Sequence, residues 1–325
     1  IVVAPASGNI LGKVAHGIAD DSLSTAIMAS SAPVLFAPAM NTRMWENPAV
    51  RDNVRLLADR GYLFVQPGTG DLACGEMGTG RMADPSEIVG AALRLLADPA
   101  RPRVLVTAGR TEEAVDPVRF LSNRSSGRMG CAIAEAARHA GYPVTLICGP
   151  MSVEAPAGVE VVRVVSAREM LEALHQREGE HEILIMAAAV ADYRPAEVSP
   201  EKLPGGRERH SLELVANPDI LASLRGRRDG RVTIGFALET GDGTQRAREK
   251  LRVKGCDLIV LNHPLRPGSE FGGDTNEVTF LYRDGRMEPL PLMSKLDVGR
   301  EILARAEIIR AGAARSTQGK AERQP

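Results

Sequence analysis

The sequence predicts an α/β protein built on parallel sheets, and three observations predict it. Apolar runs of strand length recur at 1–4, 33–37, 62–65, 103–107, 143–148, 160–165, 183–187, 232–236 and 257–261. Most are separated by helical patterns such as CAIAEAARHAG and AREMLEALHQR. The runs are continuously apolar rather than alternating, as expected of strands covered by helices on both faces. One late stretch departs from this. In FGGDTNEVTFLYRDGRMEPLPLMSK, short alternating runs around Asp284 and Gly285 predict a hairpin joined to the parallel sheet.

A chain of 325 residues with 44% hydrophobic content is long enough for two domains, each with its own core. The polar, proline-containing DPARPR before the 103–107 run is the predicted linker. The domains are therefore expected at 1–99 and 100–313, followed by a disordered polar tail, ARSTQGKAERQP, at 314–325.

Composition narrows the function. Lys and Arg total 40 against 41 for Asp and Glu, so no net field draws the chain to nucleic acid or an anionic membrane. Aromatic content of 3% argues against base-stacking platforms. The longest apolar run, ILIMAAAVA at 183–191, has about half the length of a membrane span. Cys74, Cys131, Cys148 and Cys256 are widely separated, which fits neither a zinc site nor a disulfide framework and points to a reducing cytoplasm. The opening IVVAPASGN reads as a strand and turn rather than a targeting signal, so the chain is expected to begin inside a domain.

Three islands stand out in the first domain. APASGN at 4–9 follows a strand and opens a helical pattern, placing small residues and backbone N–H groups where a phosphate or ring edge docks. APAMNTRMWENP at 37–48 has two readings: a ligand-binding turn, or a helix start capped by Asn41 with Met44 and Trp45 in the core. LACGEMGTGRM at 72–82 sets Cys74 among glycines, which suits a mobile flap better than core packing.

Together the three resemble the decarboxylase half of the bifunctional phosphopantothenoylcysteine decarboxylase/phosphopantothenate–cysteine ligase family. PASGN is similar to its flavin motif, PAMNTRMW to its P-x-M-N-x-x-M-W motif, and ACGEMGTGRM to its substrate clamp. The resemblance implies a partial flavodoxin-like flavoprotein domain that binds FMN near Ser7 and Asn9. It implies oxidation of a substrate thiol by the flavin, loss of carbon dioxide, and reprotonation of the ene-thiol. Asn41 would hold the substrate carboxylate, and Cys74 would donate the proton from a closing flap. Gly8 and Ile10 depart from the family's Ala and Thr. The family's first strands and catalytic histidine precede the APAS strand, and His16 follows it on the next helix. This decarboxylase domain is thus expected to be incomplete and not to turn over alone.

The second domain opens as a βαβ unit whose glycines are split: Gly109 follows the strand, and Gly127 and Gly130 open the helix. A dinucleotide fingerprint needs them together. What remains is a helix start bearing Arg124, Ser125, Ser126 and Arg128, suited to a phosphate-bearing ligand. In MAAAVADYRP small residues end a buried strand before Asp192, where a ligand can approach the backbone and a magnesium ion can sit.

With NPDIL, IGFALET, KLRVKGCDLIVLN and FGGDTNEVTF, these stretches resemble the ligase half of the same family. The implied fold is a second Rossmann-like domain with a parallel sheet. The implied reaction has the carboxylate of 4′-phosphopantothenate attack the α-phosphate of CTP, after which the amine of cysteine displaces CMP. By residue-wise match, Met186, Ala187, Ala188, Asp192, Asn217, Pro218, Asp219, Ile220, Phe236, Lys250 and Lys254 face the nucleotide, with Asp192 on Mg2+. Asn123 and Arg119 face the phosphopantothenate. Lys250 and Lys254, four apart, share a helix face. Lys202 matches the first lysine of the family's K-I-K-K loop and would serve the second step, although KLPGG lacks the others and leaves Arg207 and Arg209 to compensate. The family assembles as homo-oligomers, so one is expected here. An NAD-type oxidoreductase and a non-catalytic flavin-binding subunit are the alternatives.

Overall fold

Each of the nine apolar runs forms a strand in the computed structural model, which describes residues 1–71, 77–205, 211–224, 230–238, 243–262, 266, 268–269 and 272–321. The chain divides into two units, Ile1–Leu96 and Ala97–Pro325.

In the first unit, β1 (Val2–Ala6), β2 (Leu35–Pro38) and β3 (Leu63–Phe64) form a parallel sheet in that order. Helix α1 (Gly8–Ala15) starts at Ser7, whose hydroxyl accepts the Ile10 N–H, and α2 (Ser22–Ala29) starts at a reciprocal Asp21–Ser24 capping box. Asn41 caps the short α3 (Thr42–Trp45), and α4 (Pro48–Asp59) opens with proline, which lacks the N–H that a first-turn residue leaves unpaired. The core collects Ile10, Leu11 and Val14 of α1 with Phe36 and Leu57. An antiparallel pair, β4 (Gly68–Asp71) and β5 (Met77–Arg81), precedes α5 (Pro85–Arg94).

The second unit is built on an eight-stranded sheet. Its six parallel strands are β6 (Val104–Ala108), β9 (Val144–Cys148), β10 (Glu160–Arg163), β11 (Ile183–Met186), β14 (Val232–Leu238) and β15 (Leu258–Asn262). The predicted hairpin, β17 (Val278–Tyr282) and β18 (Met287–Pro289), adds antiparallel to β15. The order β10-β9-β6-β11-β14-β15-β17-β18 reverses direction beside β6, which is the doubly wound arrangement. Strand residues alternate between two cores. Val104 and Val106 pack with α6 (Arg128–His139) and α10 (Lys295–Ala321), while Leu105 packs on the other face with α7 (Ala167–Arg177), α8 (Ile220–Ser223) and α9 (Thr244–Lys254). Burial on both faces is why these strands read as unbroken apolar runs.

Two small antiparallel pairs were not predicted: β7 (Glu112–Ala114) with β8 (Phe120–Ser122), and β12 (Tyr193–Pro195) with β13 (Leu214–Ala216). They make an arm. At its centre the buried Asp116 carboxylate accepts the N–H groups of Val118 and Arg119 at 2.8 Å and of Leu203 at 3.1 Å. Burial alone would raise this carboxyl's pKa, but these donors and the Arg119 charge hold it below the ordinary value. The arm leaves Val118, Phe120, Tyr193 and Val198 at least half exposed. A last pair, β16 (Thr275–Asn276) and β19 (Met293–Ser294), leads into α10. That helix continues as far as Ala321, into the stretch expected as a polar tail, and the Ala, Arg, Gln and Lys of that stretch are good helix formers despite their polarity.

Candidate active site at the sheet's switch point

Where the strand order reverses, the carboxyl ends of β6, β11, β14 and β15 open on a cavity of about 660 Å³. Met186, Ala187, Ala188 and Asp192 line it from the end of β11 and the loop beyond. Asn217, Pro218, Asp219 and Ile220 come from the start of α8, Phe236 from β14, Lys250 and Lys254 from α9, and Asn123 from the approach to α6. Ser125, Ser126, Arg128 and the first turn of α6 complete one wall. Gly130 lets that turn press on β6, because a Cβ there would lie 2.5 Å from that of Ala108. The N–H groups of Met129 and Gly130 have no hydrogen-bond partner among the described residues, as suits an anion site.

Hydrogen bonds fix this geometry. Buried Thr107 accepts the Ala188 N–H at 3.1 Å and buried Thr111 that of Ala191 at 3.0 Å, holding the small-residue loop after β11 against β6. Asn123 donates to the Val190 carbonyl at 3.0 Å, and Asn217 to that of Ala191 at 2.9 Å. Lys250 donates to the Phe236 carbonyl at 2.6 Å. Lys254 pairs with the Asp219 carboxylate, whose other oxygen caps α8 by accepting the Ala222 N–H. The two lysines thus share one helix face and are already oriented by other residues of the pocket. The Asp192 side chain is exposed at the mouth.

Two expected residues are elsewhere. Neither Arg119 nor Lys202 lines the cavity. Arg119 lies 3.4 Å from Asp116, and Leu203 bonds the same carboxylate, so both positions belong to the arm. Arg207 and Arg209 lie outside the described residues.

In the first unit Ser7 and Asn9 are exposed at the end of β1 and the start of α1. The Asn41 Oδ1 accepts the Met44 N–H at 2.8 Å, which leaves the Nδ2 for a ligand. The alternative of Met44 and Trp45 in the core is not met, since α3 buries no residue. The glycines of the hairpin lie close to the Asn41 turn. A Cβ at Gly78 would lie 2.1 Å from the Thr42 hydroxyl, and one at Gly80, where φ is +138°, 2.2 Å from the Met40 carbonyl. Met40 donates to the Gly80 carbonyl at 3.0 Å. These glycines let β5 approach the Asn41 turn closely. Cys74 lies outside the described residues.

The comparisons with known proteins agree with this division. Residues 1–97 match the flavoprotein family, and residues 100–309 match the DNA/pantothenate metabolism flavoprotein C-terminal domain. The coenzyme A biosynthesis bifunctional protein CoaBC of Bacillus subtilis is 45% identical over 309 residues, covering 93% of this chain and 76% of that protein. The chain belongs to the CoaBC family. The Mycobacterium tuberculosis CoaBC is 44% identical over 91% of this chain and 75% of its own length. A crystal structure of the C-terminal domain of a CoaBC superimposes with a TM-score of 0.55 at 41% identity, covering 64% of this chain and 95% of that one.

In this CoaBC-family chain, sequence reasoning missed several pocket residues. Thr107 sits in the strand run itself and carries no motif of its own. Asn262 and Asn276 lie inside the VLN and FGGDTN stretches but were not singled out, and Lys295 at the start of α10 had no signal at all. Among the described residues no helix is long and apolar enough to cross a membrane.

Proposed function

We propose that the second unit joins 4′-phosphopantothenate to cysteine using CTP, and that the first unit takes part in decarboxylating the product. The observation that carries the reading is the convergence of twelve motif-matched residues, Asn123 to Lys254, on one cavity at the switch point. In the first step the phosphopantothenate carboxylate attacks the α-phosphorus and pyrophosphate leaves, giving an acyl cytidylate. In the second the cysteine amine attacks the acyl carbon, loses a proton, and CMP leaves. Both steps gather negative charge, which Lys250, Lys254 and the unpaired N–H groups of α6 offset. Among the described residues no cluster of three acidic, His or Cys side chains forms a metal cage. Asp192 alone at the mouth fits Mg2+, which commonly takes one or two carboxylates and completes its shell with phosphates and water.

The same reading gives the arm its use. Arg119 and Lys202 carry site chemistry on a surface that also exposes Val118, Phe120 and Tyr193. A second copy packed on that surface buries these side chains and brings its Arg119 and Lys202 to the neighbouring pocket, making the working unit a homo-oligomer.

In the first unit, the exposed Ser7 and Asn9 and the N–H groups opening α1 fit an anionic cofactor such as FMN. Bound there, FMN would take two electrons from the thiol-bearing carbon, which lets the adjacent carboxyl-bearing carbon lose carbon dioxide, and would return them as the ene-thiol is protonated. Asn41, its Oδ1 held by α3, directs its Nδ2 to the substrate carboxylate, and Cys74 donates the final proton.

Chromatography of a mixture with CTP, magnesium, 4′-phosphopantothenate and cysteine tests the ligase. CMP formation that requires both acceptors is expected, and CTP left intact would refute it. The same assay with ATP measures nucleotide preference.

A further inference from the structure

Lys295 breaks two local rules. It opens α10, where the unpaired N–H groups carry partial positive charge and a cation is unfavourable. It is also partly buried, and that burial pushes its ammonium below the ordinary lysine range, with Asp274 opposing the shift and Arg128 adding to it. The start of the helix is otherwise well made: the Ser294 hydroxyl accepts the Asp297 N–H at 3.1 Å and donates to its carboxylate at 2.6 Å. The ammonium donates to the neutral carbonyl of Gly273, while the nearby Asp274 carboxylate is taken by Arg128 at 2.6 Å. A position that costs stability and lines a functional cavity is where such a violation is expected to serve a ligand.

A second observation points the same way. Asn276, beside Lys295 in the cavity wall, is only 2% exposed, yet its Oδ1 has no partner among the described residues. Its Nδ2 reaches the Met129 sulfur at 3.9 Å. Half a turn of the carboxamide exchanges the two atoms and presents a donor instead. Met129 and Arg128 belong to the first turn of α6, so Lys295, Asn276, Arg128 and the unpaired N–H groups form one donor-rich corner, contributed by the chain's last helix and its 273–276 approach.

We propose that Lys295 is a binding residue for the phosphate chain of the nucleotide, exchanging the Gly273 carbonyl for a phosphate oxygen when nucleotide enters. This rests on the nucleotide-binding reading of the pocket. It adds a cation from α10 to those that α9 supplies, and it makes the corner select polyphosphates over monophosphates.

Calorimetric titration of the full chain with CTP, CMP and inorganic pyrophosphate, each with magnesium, tests it. Lys295→Gln should weaken CTP and pyrophosphate at least about tenfold and leave CMP within about twofold, with Lys295→Arg recovering most of the loss. A variant that binds CTP as the wild type does would overturn the proposal while leaving the pocket reading intact. Wild-type protein that binds no nucleotide would instead remove that reading, and this proposal with it. Should Lys295→Gln not fold, reductive methylation of the wild type decides: CTP with magnesium should protect Lys295, and an unchanged modification rate overturns the proposal.

Discussion

The pocket and the arm of the second unit are held together by different physics. The pocket sits on strands buried on both faces, so its loops inherit a rigid base, and Thr107, Thr111, Asn123 and Asn217 tie those loops down by their backbone. The arm has strands of three residues, exposes aromatic and branched side chains, and is organised around one buried carboxylate, that of Asp116. On the proposed function, the difference teaches that nucleotide activation is built into one chain's core, whereas Arg119 and Lys202 are carried on an exposed surface that a second copy would cover.

The largest expected effect falls on the pocket. Lys250→Gln should lower pyrophosphate formation on the order of a hundredfold without changing the oligomer, as read by stopped assays and sedimentation. A loss of only a few-fold would show that the α9 lysines do not face the phosphates. Lys202→Gln should act differently, permitting pyrophosphate release but blocking cysteine addition, so that acyl cytidylate accumulates. Mixing these two inactive variants sharpens the comparison most. If each arm serves its neighbour's pocket, an equal mixture of exchanging dimers should regain about a quarter of wild-type turnover. No recovery would place Lys202 at its own chain's site. Phe120→Asp should shift sedimentation toward monomer and lower ligation in proportion, because it sets a charge on the surface proposed to be buried. The smallest effect belongs to Thr107→Val, which removes one buried hydrogen bond; about 1 kcal/mol of stability should go, with a modest rise in KM for CTP.

What the sequence made legible follows the same line. All nine main strands were readable because burial on both faces writes itself as apolar runs, and the edge hairpin was readable from alternation around Asp284 and Gly285. The arm was not. Strands such as Glu112–Ala114 and Tyr193–Pro195 are too short for a period, and the Asp116 carboxylate at the arm's centre reaches Leu203, far along the sequence. Motif matching found the pocket residues that lie in contiguous islands, but it also drew in Arg119 and Lys202, which do not line that cavity, because a motif carries no information on where its segment sits relative to the others. Gly78 and Gly80 show another limit. Glycine-rich sequence suggests motion, and it does not show the close approach to Met40 and Thr42 that the structure reveals. Lys295 was invisible because its meaning depends on where α10 begins relative to the pocket.

The central claim is that one cavity activates a carboxylate with a nucleoside triphosphate before the amine is needed. Pyrophosphate release measured with CTP, magnesium and 4′-phosphopantothenate, with cysteine withheld, tests it most directly. The account predicts a burst equal to the concentration of pockets, with acyl cytidylate recovered in the same amount. Pyrophosphate that appears only once cysteine is added, or never, would contradict it.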